Sequence, residues 1–238
     1  MPGHTPHQPR PRPSARLGLW HSWQQLEQQQ QAFSAIAAWS TEGFDLGKGR
    51  EARHADGLWV SGDFFQVLEI NPVLGRLFSK SDDYRGCGVH GVVISNAFWQ
   101  REFGGRAGII GNTLSLDGHP FQIIGVTPRS FSGLEVGLNF DMALPLCSEP
   151  AIQGKVSWTD DMTTWWLAAI GRLKPGWTFG RATAQLGAVT PGILAATLPS
   201  EYNSAVSPYD PPTYLSVSGL SHCSHATSQH AAPRASIR

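Results

Sequence analysis

Apolar residues recur at helical spacing in the first part of the chain. Between residues 19 and 38 they are Trp20, Trp23, Leu26, Phe33 and Ile36. The intervening positions are rich in glutamine, which suits a solvated face. This pattern predicts an amphipathic helix over residues 19–38.

The next segment predicts a loop or short hairpin followed by a short buried helix. Gly43, Gly47 and Gly49 punctuate the chain before the apolar run LWV at residues 58–60. Ser61 suits the N-cap of a helix that buries an apolar cluster, and Asn71-Pro72 is expected to end that helix. The cluster is Phe64, Phe65, Val67 and Leu68.

Residues 92–105 carry start and stop signals for a second short helix. The run VVIS at 92–95 reads as a strand, and Ser95 suits an N-cap. The helix NAFWQREF then occupies 96–103 and ends at Gly104-Gly105. We expect Phe98, Trp99 and Phe103 to anchor it.

The segment TLSLDGHPFQIIGV predicts a β-hairpin. Asp117-Gly118 lies between two apolar runs and favours a two-residue turn with positive φ. Counting outward from this turn, Leu116 faces His119 and Leu114 faces Phe121. The apolar residues therefore share one face, as a half-buried sheet requires.

The last third predicts strand, helix and strand. Residues 165–176 read as a buried strand ended by Lys-Pro-Gly, and a helix follows with Phe179, Ala182, Leu186 and Val189 on one side. Pro191 is expected to limit that helix. Residues 212–220 alternate enough for a last strand. The succession of elements indicates a mixed α+β fold rather than a doubly wound sheet.

Composition excludes some classes of function. The 18 basic and 18 acidic residues balance, so no overall field draws the chain to nucleic acid. No apolar run is long enough for a membrane-spanning helix, and the Pro/Arg-rich start has no signal-peptide pattern. Cys87, Cys147 and Cys223 are odd in number and widely spaced, which predicts no disulfide framework.

Candidate chemistry is sparse. The glycines of GCGVHG, Gly86, Gly88 and Gly91, match a dinucleotide-binding spacing but open a strand instead of a helix, so a flexible loop is the better interpretation. The acidic pairs Asp82-Asp83 and Asp160-Asp161 are expected to cap or solvate loops. A tail cluster is expected to be a loose segment rather than a metal site, and its members are His222, Cys223, His225 and His230.

Tryptophans offer a further candidate site. Exposed aromatic side chains can stack on a ligand, but aromatics within strand and helix patterns are more often part of the core. The residues concerned are Trp59, Trp99, Trp158, Trp165 and Trp166. His119, beside Pro120, reads as a turn-flanking surface residue rather than a general base. No catalytic, cofactor or metal residue is predicted.

Four phrases in order resemble one known family. They are VSGDFFQVLEINPVLGRLF, VVISNAFWQREFGG, IIGNTLSLDGHPFQIIGVTP and WWLAAIGRLKPGWTFGRATAQL. Over roughly residues 20–195, this succession is similar to the MacB-like periplasmic core domain of ABC transporter permeases, and in particular to the large permeases of Acidobacteria.

The resemblance implies a particular domain organisation. We expect a porter-like α/β sandwich part from residues 19–60 and 165–220, with an inserted β-rich subdomain at roughly 75–150. The whole core domain would cover 19–220. A Pro/Arg-rich lead at 1–18 and a tail at 221–238 are expected to be disordered.

The resemblance also implies a role without catalysis or cofactor. Conformational change would pass from a separate ABC ATPase, through membrane-embedded permease segments, to this domain and on to substrate or an envelope protein. The residues that match the family phrases are expected to be turn, cap and core residues. They are Gly62, Phe64, Phe65, Gly75, Arg76, Trp99, Gly111, Asp117, Gly118, Gly125 and Pro128.

Location and completeness leave alternatives open. In the family this domain lies on the periplasmic face of the cytoplasmic membrane, between two transmembrane helices, and this sequence carries neither helix. It is then a fragment of a permease gene or a free-standing remnant. The rival interpretations are a periplasmic or secreted glycan-binding or hydrolase domain using Trp158–Trp166, and a fragment without function.

Overall fold

A computed structural model describes residues 17–18, 20–47, 53–88, 91–134, 138–159, 165–197, 217–219 and 234–237. The helices in these ranges are α1 (Trp20–Gln29), α2 (Phe64–Val67), α3 (Asn96–Phe103), α4 (Glu149–Gln153) and α5 (Phe179–Thr197). The strands are β1 (Leu17–Gly18), β2 (Phe33–Leu46), β3 (Arg53–Val60), β4 (Leu74–Gly75), β5 (Gly91–Ile94), β6 (Thr113–Leu116), β7 (His119–Val126), β8 (Met142–Pro145), β9 (Trp165–Leu173), β10 (Val217–Gly219) and β11 (Arg234–Ile237).

The strands form one continuous mixed sheet. Its order is β10-β11-β9-β2-β3-β8-β5-β7-β4, with β1 paired to β9 and β6 paired to both β2 and β7. Strands β3 and β8 run parallel, as do β5 and β7, and the other pairs are antiparallel. The mixed α+β class predicted from the order of elements is confirmed.

Strand β6 closes part of this sheet into a ring. The ring runs β2-β3-β8-β5-β7-β6 and returns to β2, where Leu46 pairs with Leu116. The hairpin turn completes the closure, because Asp117 N donates to Asp45 O at 2.9 Å and Asp45 N donates to Asp117 Oδ1 at 2.8 Å. The far end of β2 is thereby paired on both sides.

The central strands are buried on both faces. One face and the ring interior hold a core that includes Phe44, Trp59, Leu116 and Phe121, against which α1, α3 and α5 pack. The opposite face carries a second core beneath α2, with an aromatic cluster. Its rings are Phe64, Phe65, Phe78, Phe131 and Phe140.

The prediction of one helix over residues 19–38 is wrong in its second half. Helix α1 ends at Gln29, and Phe33 begins β2. A strand buried on both faces shows a run of apolar residues without a visible period of two. Phe33 and Ile36 therefore matched helical spacing although they lie in a strand.

The hairpin between β2 and β3 exists, but two details differ from the prediction. Gly43 lies inside β2, opposite Asp56, instead of in a loop. The Ser61 hydroxyl accepts from Ala38 N at 3.0 Å, so Asp63 and not Ser61 is the N-cap of α2. The four apolar residues predicted to be buried near α2 are buried, although this helix ends at Val67, ahead of Asn71-Pro72.

Helix α3 and the following hairpin form as predicted. The Ser95 hydroxyl accepts from Phe98 N at 3.1 Å, and Gly104 ends the helix with φ 59°. Asp117 and Gly118 have φ 49° and 82°, the positive values that a type I′ turn requires. The predicted pairs of Leu116 with His119 and Leu114 with Phe121 are confirmed.

Helix α5 continues through Pro191, which corrects the predicted helix end. Pro191 is exposed, whereas Ile193 and Thr197 beyond it are buried. Burial of that last part outweighs the one backbone hydrogen bond that proline removes. The Thr190 hydroxyl also donates to Leu186 O at 2.7 Å in the same turn.

The chain ends differ from the predicted boundaries of disorder. Leu17–Gly18 form β1, within the predicted lead, and residues 1–16 lie outside the described residues. Val217–Gly219 form β10 within the predicted last strand. Arg234–Ile237 form β11 between β10 and β9, within the predicted disordered tail. The four residues Arg-Ala-Ser-Ile alternate polar and apolar side chains, but so short a run beside a polar segment did not predict a strand, and its pairing with β9 is a long-range contact.

The predicted insert shares the sheet with the predicted porter-like part. Strand β8, from the region 75–150, pairs with β3 over four residues, from Gly57 opposite Met142 to Val60 opposite Pro145. The two parts are therefore joined by backbone hydrogen bonds. Their division into subdomains stays a prediction.

Replacing Gly125 by alanine is expected to destabilise the sheet edge. A Cβ at this position would lie 1.9 Å from the Arg76 carbonyl oxygen, so β7 and β4 must separate. We expect a loss of about 2 kcal/mol or more in the free energy of unfolding, measured by urea denaturation. Gly187→Ala is the control, since nothing lies near its Cβ in α5 and it should gain about 0.5 to 1 kcal/mol. Equal stability of Gly125→Ala and wild type would contradict this packing.

Candidate functional site

Two loops lie side by side where β3 and β8 end. Because these strands are parallel, the chain leaves both at the same edge of the sheet, after Val60 and Pro145. The loop after β8 is a 3-10 turn, Leu146–Ser148. The segment 76–88 hydrogen-bonds to both loops. We call residues 61–63, 76–88 and 146–149 the strand-end junction.

Asp83 connects the two loops of the strand-end junction. Its Oδ2 accepts from Gly62 N at 3.1 Å and its Oδ1 from Cys147 N at 2.9 Å. Gly62 leaves no room for a side chain, because a Cβ there would lie 2.5 Å from the Ser79 carbonyl oxygen. Burial raises the pKa of Asp83 to about 6, against the opposite effect of the two N–H groups.

Two ion pairs hold the segment 76–88, one within the segment and one to helix α1. Arg76 donates to both carboxylate oxygens of Asp82, at 2.8 and 2.7 Å, and Asp82 also accepts from Ser79 N at 2.9 Å. The Arg76 hydrogen bond, followed by those from Ser79, lowers the pKa of Asp82 to about 2 although burial opposes it. Lys80 pairs with Glu27 of α1. The predicted capping role of the acidic pair is confirmed at Asp82, and Asp160-Asp161 lie outside the described residues.

A disulfide joins Cys87 to Cys147 across the strand-end junction. Their Cα atoms are 5.6 Å apart although 60 residues separate them in sequence, and both residues are buried. This corrects the prediction of no disulfide. The spacing of the cysteines carried no signal, because their approach depends on the antiparallel β5–β8 pairing, which sets the segment before β5 beside the end of β8. Cys223 lies outside the described residues.

The glycine-rich loop GCGVHG contains Cys87 of this disulfide. Gly86 and Gly88, on either side of Cys87, have φ 81° and 70°. The chain then enters strand β5 at Gly91, so the loop opens a strand and not a helix. The interpretation of GCGVHG as a loop before a strand is confirmed, because a dinucleotide site needs this loop to open a helix.

Glu149 is a second buried carboxylate, and the sequence analysis missed it. It is 0 % exposed at the start of α4. It accepts from the hydroxyls of Ser157 and Thr159, each at 2.6 Å, and from Trp158 N at 2.8 Å. All these donors lie in one loop that carries no motif, so no sequence signal pointed to Glu149.

The described residues contain no group of three or more His, Cys, Asp and Glu side chains arranged to hold a metal. The tail cluster of His222, Cys223, His225 and His230 lies outside the described residues. Its interpretation as a loose segment therefore stays a prediction.

The tryptophans proposed as an alternative ligand platform are mostly core residues. Trp59 is 0 % exposed, Trp166 2 % and Trp99 8 %. Trp158 is half-buried, and its ring centroid lies 5.9 Å from that of Trp166. These four do not form an exposed stacking surface. His119, expected at the surface, is half-buried in β7.

The residues that match the family phrases lie in turns and core. Near the strand-end junction, Phe64 and Phe65 pack edge to face with ring centroids 5.2 Å apart. Gly75 has φ 63° and, like Gly125, touches backbone of the neighbouring strand. Elsewhere, Trp99 Nε1 donates to Arg106 O.

The remaining residues that match the family's sequence segments lie in other turns. Gly111 has φ 88°, beside the hairpin that holds Asp117 and Gly118. Pro128 O accepts from Phe131 N at 3.0 Å. The fold therefore brings Gly62 and Arg76 into the strand-end junction and leaves the others outside one common site. That these positions define the family motif stays a prediction.

Over residues 3–189 the chain matches the family described as the MacB-like periplasmic core domain. The chain belongs to this family. The resemblance seen in the sequence is thereby confirmed, as is the assignment to an ABC transporter permease domain. No curated protein matches this chain in sequence.

Three solved structures share the fold of this MacB-like core domain. The periplasmic region of MacB from Actinobacillus actinomycetemcomitans has TM-score 0.56 and 14% identity, covering 76% of this chain and 76% of that chain. The extracellular domain of the noncanonic ABC-type transporter YknZ from Gram-positive bacteria has TM-score 0.51 and 14% identity, covering 73% and 84%. A domain of a protein assigned as a permease from Porphyromonas gingivalis has TM-score 0.51 and 17% identity, covering 74% and 69%.

At these identities the similarity concerns the fold alone. The large mixed sheet of the MacB-like core domain agrees with these neighbours. Across the described ranges, no helix has both the length and the apolar character needed to cross a bilayer.

Removing the disulfide is expected to lower stability. By the loop-closure model, a cross-link spanning 60 residues contributes about 4 kcal/mol to the free energy of unfolding. We expect the double variant Cys87→Ser, Cys147→Ser to lose about this amount in urea denaturation, and reductant to have no further effect on it. Cys223→Ser is the control and should keep wild-type stability. A wild type insensitive to reductant would contradict the pairing.

Asp83 is expected to make stability depend on pH. Its pKa is raised on folding, so its contribution is fully present below the unfolded value of 3.8 and is lost as pH rises through about 6. The loss is roughly 2 to 3 kcal/mol. We expect the stability difference between wild type and Asp83→Asn, from urea denaturation, to shift by this amount between pH 4 and 7.

Asp82→Asn is the matched control for this pH dependence. The pKa of Asp82 is lowered to about 2, so its contribution is lost only as pH falls through that value. Its stability difference from wild type should stay nearly constant from pH 4 to 7. If both variants behaved alike across this range, the assignment of the pH dependence to Asp83 would be wrong.

Proposed function

We propose that this chain acts as a non-catalytic extracytoplasmic domain of an ABC permease and transmits conformational change through protein contacts. Its partners are membrane-embedded permease segments and a separate ABC ATPase, with an envelope protein as a further partner. The family membership supports this assignment. The narrower similarity to acidobacterial permeases stays a prediction.

The observation that carries the proposal is the meeting of two helix ends. Helix α1 begins where α5 ends, and the hydroxyls of Ser22 and Thr197 lie 2.8 Å apart in a buried hydrogen bond. Further along the antiparallel pair, Gln185 Nε2 donates to Gln29 O at 3.3 Å. The chain therefore enters and leaves this part of the domain at one point.

Movement imposed at that point reaches the sheet through packed side chains. Trp23 and Leu26 of α1 and Leu186 and Ile193 of α5 belong to one buried core with residues of β2 and β9. Closely packed interiors transmit strain because they compress little. A change in the position of one helix end relative to the other therefore reaches the sheet through this core.

The disulfide supports an extracytoplasmic location. Disulfides form and persist in oxidising compartments and are rare in the cytosol. Cys87 and Cys147 are both buried and paired. The periplasmic or outer face of a cytoplasmic membrane meets this requirement.

The use of the buried carboxylates supports a role without catalysis. Asp83 and Glu149 already accept hydrogen bonds from backbone N–H groups, and Glu149 also accepts from two hydroxyls. Both therefore hold loops in place. The rival glycan-binding or hydrolase interpretation is not favoured, because Trp166 is buried and the half-buried ring of Trp158 packs near it.

Tying the two helix ends together tests the proposal. The double variant Ser22→Cys, Thr197→Cys would be placed in the complete permease and oxidised to form a cross-link. If relative movement of the ends carries the signal, ATP-driven transport should fall at least severalfold and recover on reduction. Transport is measured in vesicles that contain the permease and its ATPase.

Each single-cysteine variant, oxidised and reduced in the same way, controls for the native disulfide. Equal transport by the cross-linked and the reduced double variant would contradict transmission through movement between these ends. Failure of the chain to associate with permease segments and an ABC ATPase would contradict the whole assignment.

A further inference from the structure

A cleft lies where the closed ring of strands meets α3. It has a volume of about 410 Å³, which is within the usual range for small-molecule sites. The more buried part of its lining is apolar and consists of Leu46, Phe98, Phe103 and Leu114. Arg53 and Glu102 add charge at its edge. We call it the α3 cleft.

The cleft follows from the way the ring closes. Strand β6 pairs with β2 only at Leu46 and Leu116, whereas it pairs with β7 along its whole length. Beyond this pair, Gly47 N donates to Ser115 O at 3.1 Å, and Thr113 and Leu114 of β6 pair with β7 alone. Helix α3 covers this opening with Phe98 in the core and Phe103 half-buried, so apolar surface stays accessible between them.

Arg53 is able to exchange its present partner for a ligand. It pairs with Glu102 at 2.9 Å, and its side chain is 66% exposed while that of Glu102 is 16% exposed. Glu102 also pairs with Arg101 at 3.0 Å, and Arg101 is held by Asp141 at 2.9 Å. If Arg53 turned away, Glu102 would keep a cation partner, so no buried carboxylate would be left unpaired.

Arg53 is the cation in the lining of the cleft. Its side chain is exposed to a ligand, whereas the Ser115 hydroxyl is buried beneath the cleft wall. Arg53 thus favours an anionic oxygen ligand beside an apolar surface.

We propose that the α3 cleft binds a carboxylate that carries an apolar chain. The carboxylate pairs with Arg53, and the chain packs against Phe98, Phe103 and Leu114. A guanidinium matches a carboxylate with two parallel hydrogen bonds. The apolar lining adds contacts that a short carboxylate such as acetate cannot make. Binding is a property of this domain and does not rest on the proposed role in transmission.

Equilibrium dialysis of radiolabelled laurate against the purified full chain tests the proposal. Laurate, kept below its micelle concentration, should bind saturably at one site, and acetate should not compete. Arg53→Gln should weaken laurate binding by about tenfold or more, since it removes a charge-assisted pair. The same variant should bind the neutral probe 1-dodecanol as wild type does.

Two further variants distinguish binding in the α3 cleft from nonspecific binding elsewhere on the protein. Arg129→Gln removes an exposed arginine outside the cleft and should leave laurate binding unchanged. Leu114→Gln should weaken both probes, with folding checked by its melting curve. The proposal is overturned if laurate does not bind, if Arg53→Gln leaves its affinity unchanged, or if Arg129→Gln weakens it equally.

Discussion

The parallel pairing of β3 with β8 is the contact on which the rest of the structure depends. It joins the region around residues 75–150 to the long β2–β3 hairpin by backbone hydrogen bonds. Because parallel strands end at the same edge, it also sets the two loops of the strand-end junction side by side. Asp83 hydrogen-bonds to both of these loops, and the disulfide of Cys87 with Cys147 joins the second of them to the segment before β5, which lies there because β5 pairs with β8.

Closure of the ring is the second consequence of that arrangement. Once β8, β5 and β7 extend the sheet beyond β3, the β6–β7 hairpin returns to the far end of β2. Asp117 serves two purposes there, since its positive φ makes the turn and its carboxylate accepts from Asp45 N. The pair Leu46 with Leu116, together with the hydrogen bonds beside it, completes the ring, and the α3 cleft lies next to this contact.

Local sequence signals predicted local structure well. Features that depend on contacts between distant parts of the chain could not be predicted in this way. Ser95, Gly104 and the Asp117-Gly118 turn identified α3 and the hairpin, because caps and tight turns depend on neighbouring residues. The start of β2 was assigned to a helix, since burial on both faces hides strand periodicity. The disulfide and the α3 cleft depend on strand pairing across the sheet, and no sequence spacing encodes that.

One ion pair connects helix α1 to the strand-end junction. Glu27 lies on α1, the helix whose first turn bonds to the end of α5, and it pairs with Lys80 of the strand-end junction. An exposed pair of this kind contributes little to stability. Its position matters more, because a shift of α1 along the sheet changes the charge beside Asp83, whose pKa responds to Glu27. Burial is the main cause of the raised pKa of Asp83, and the charge of Glu27 adds to it from α1.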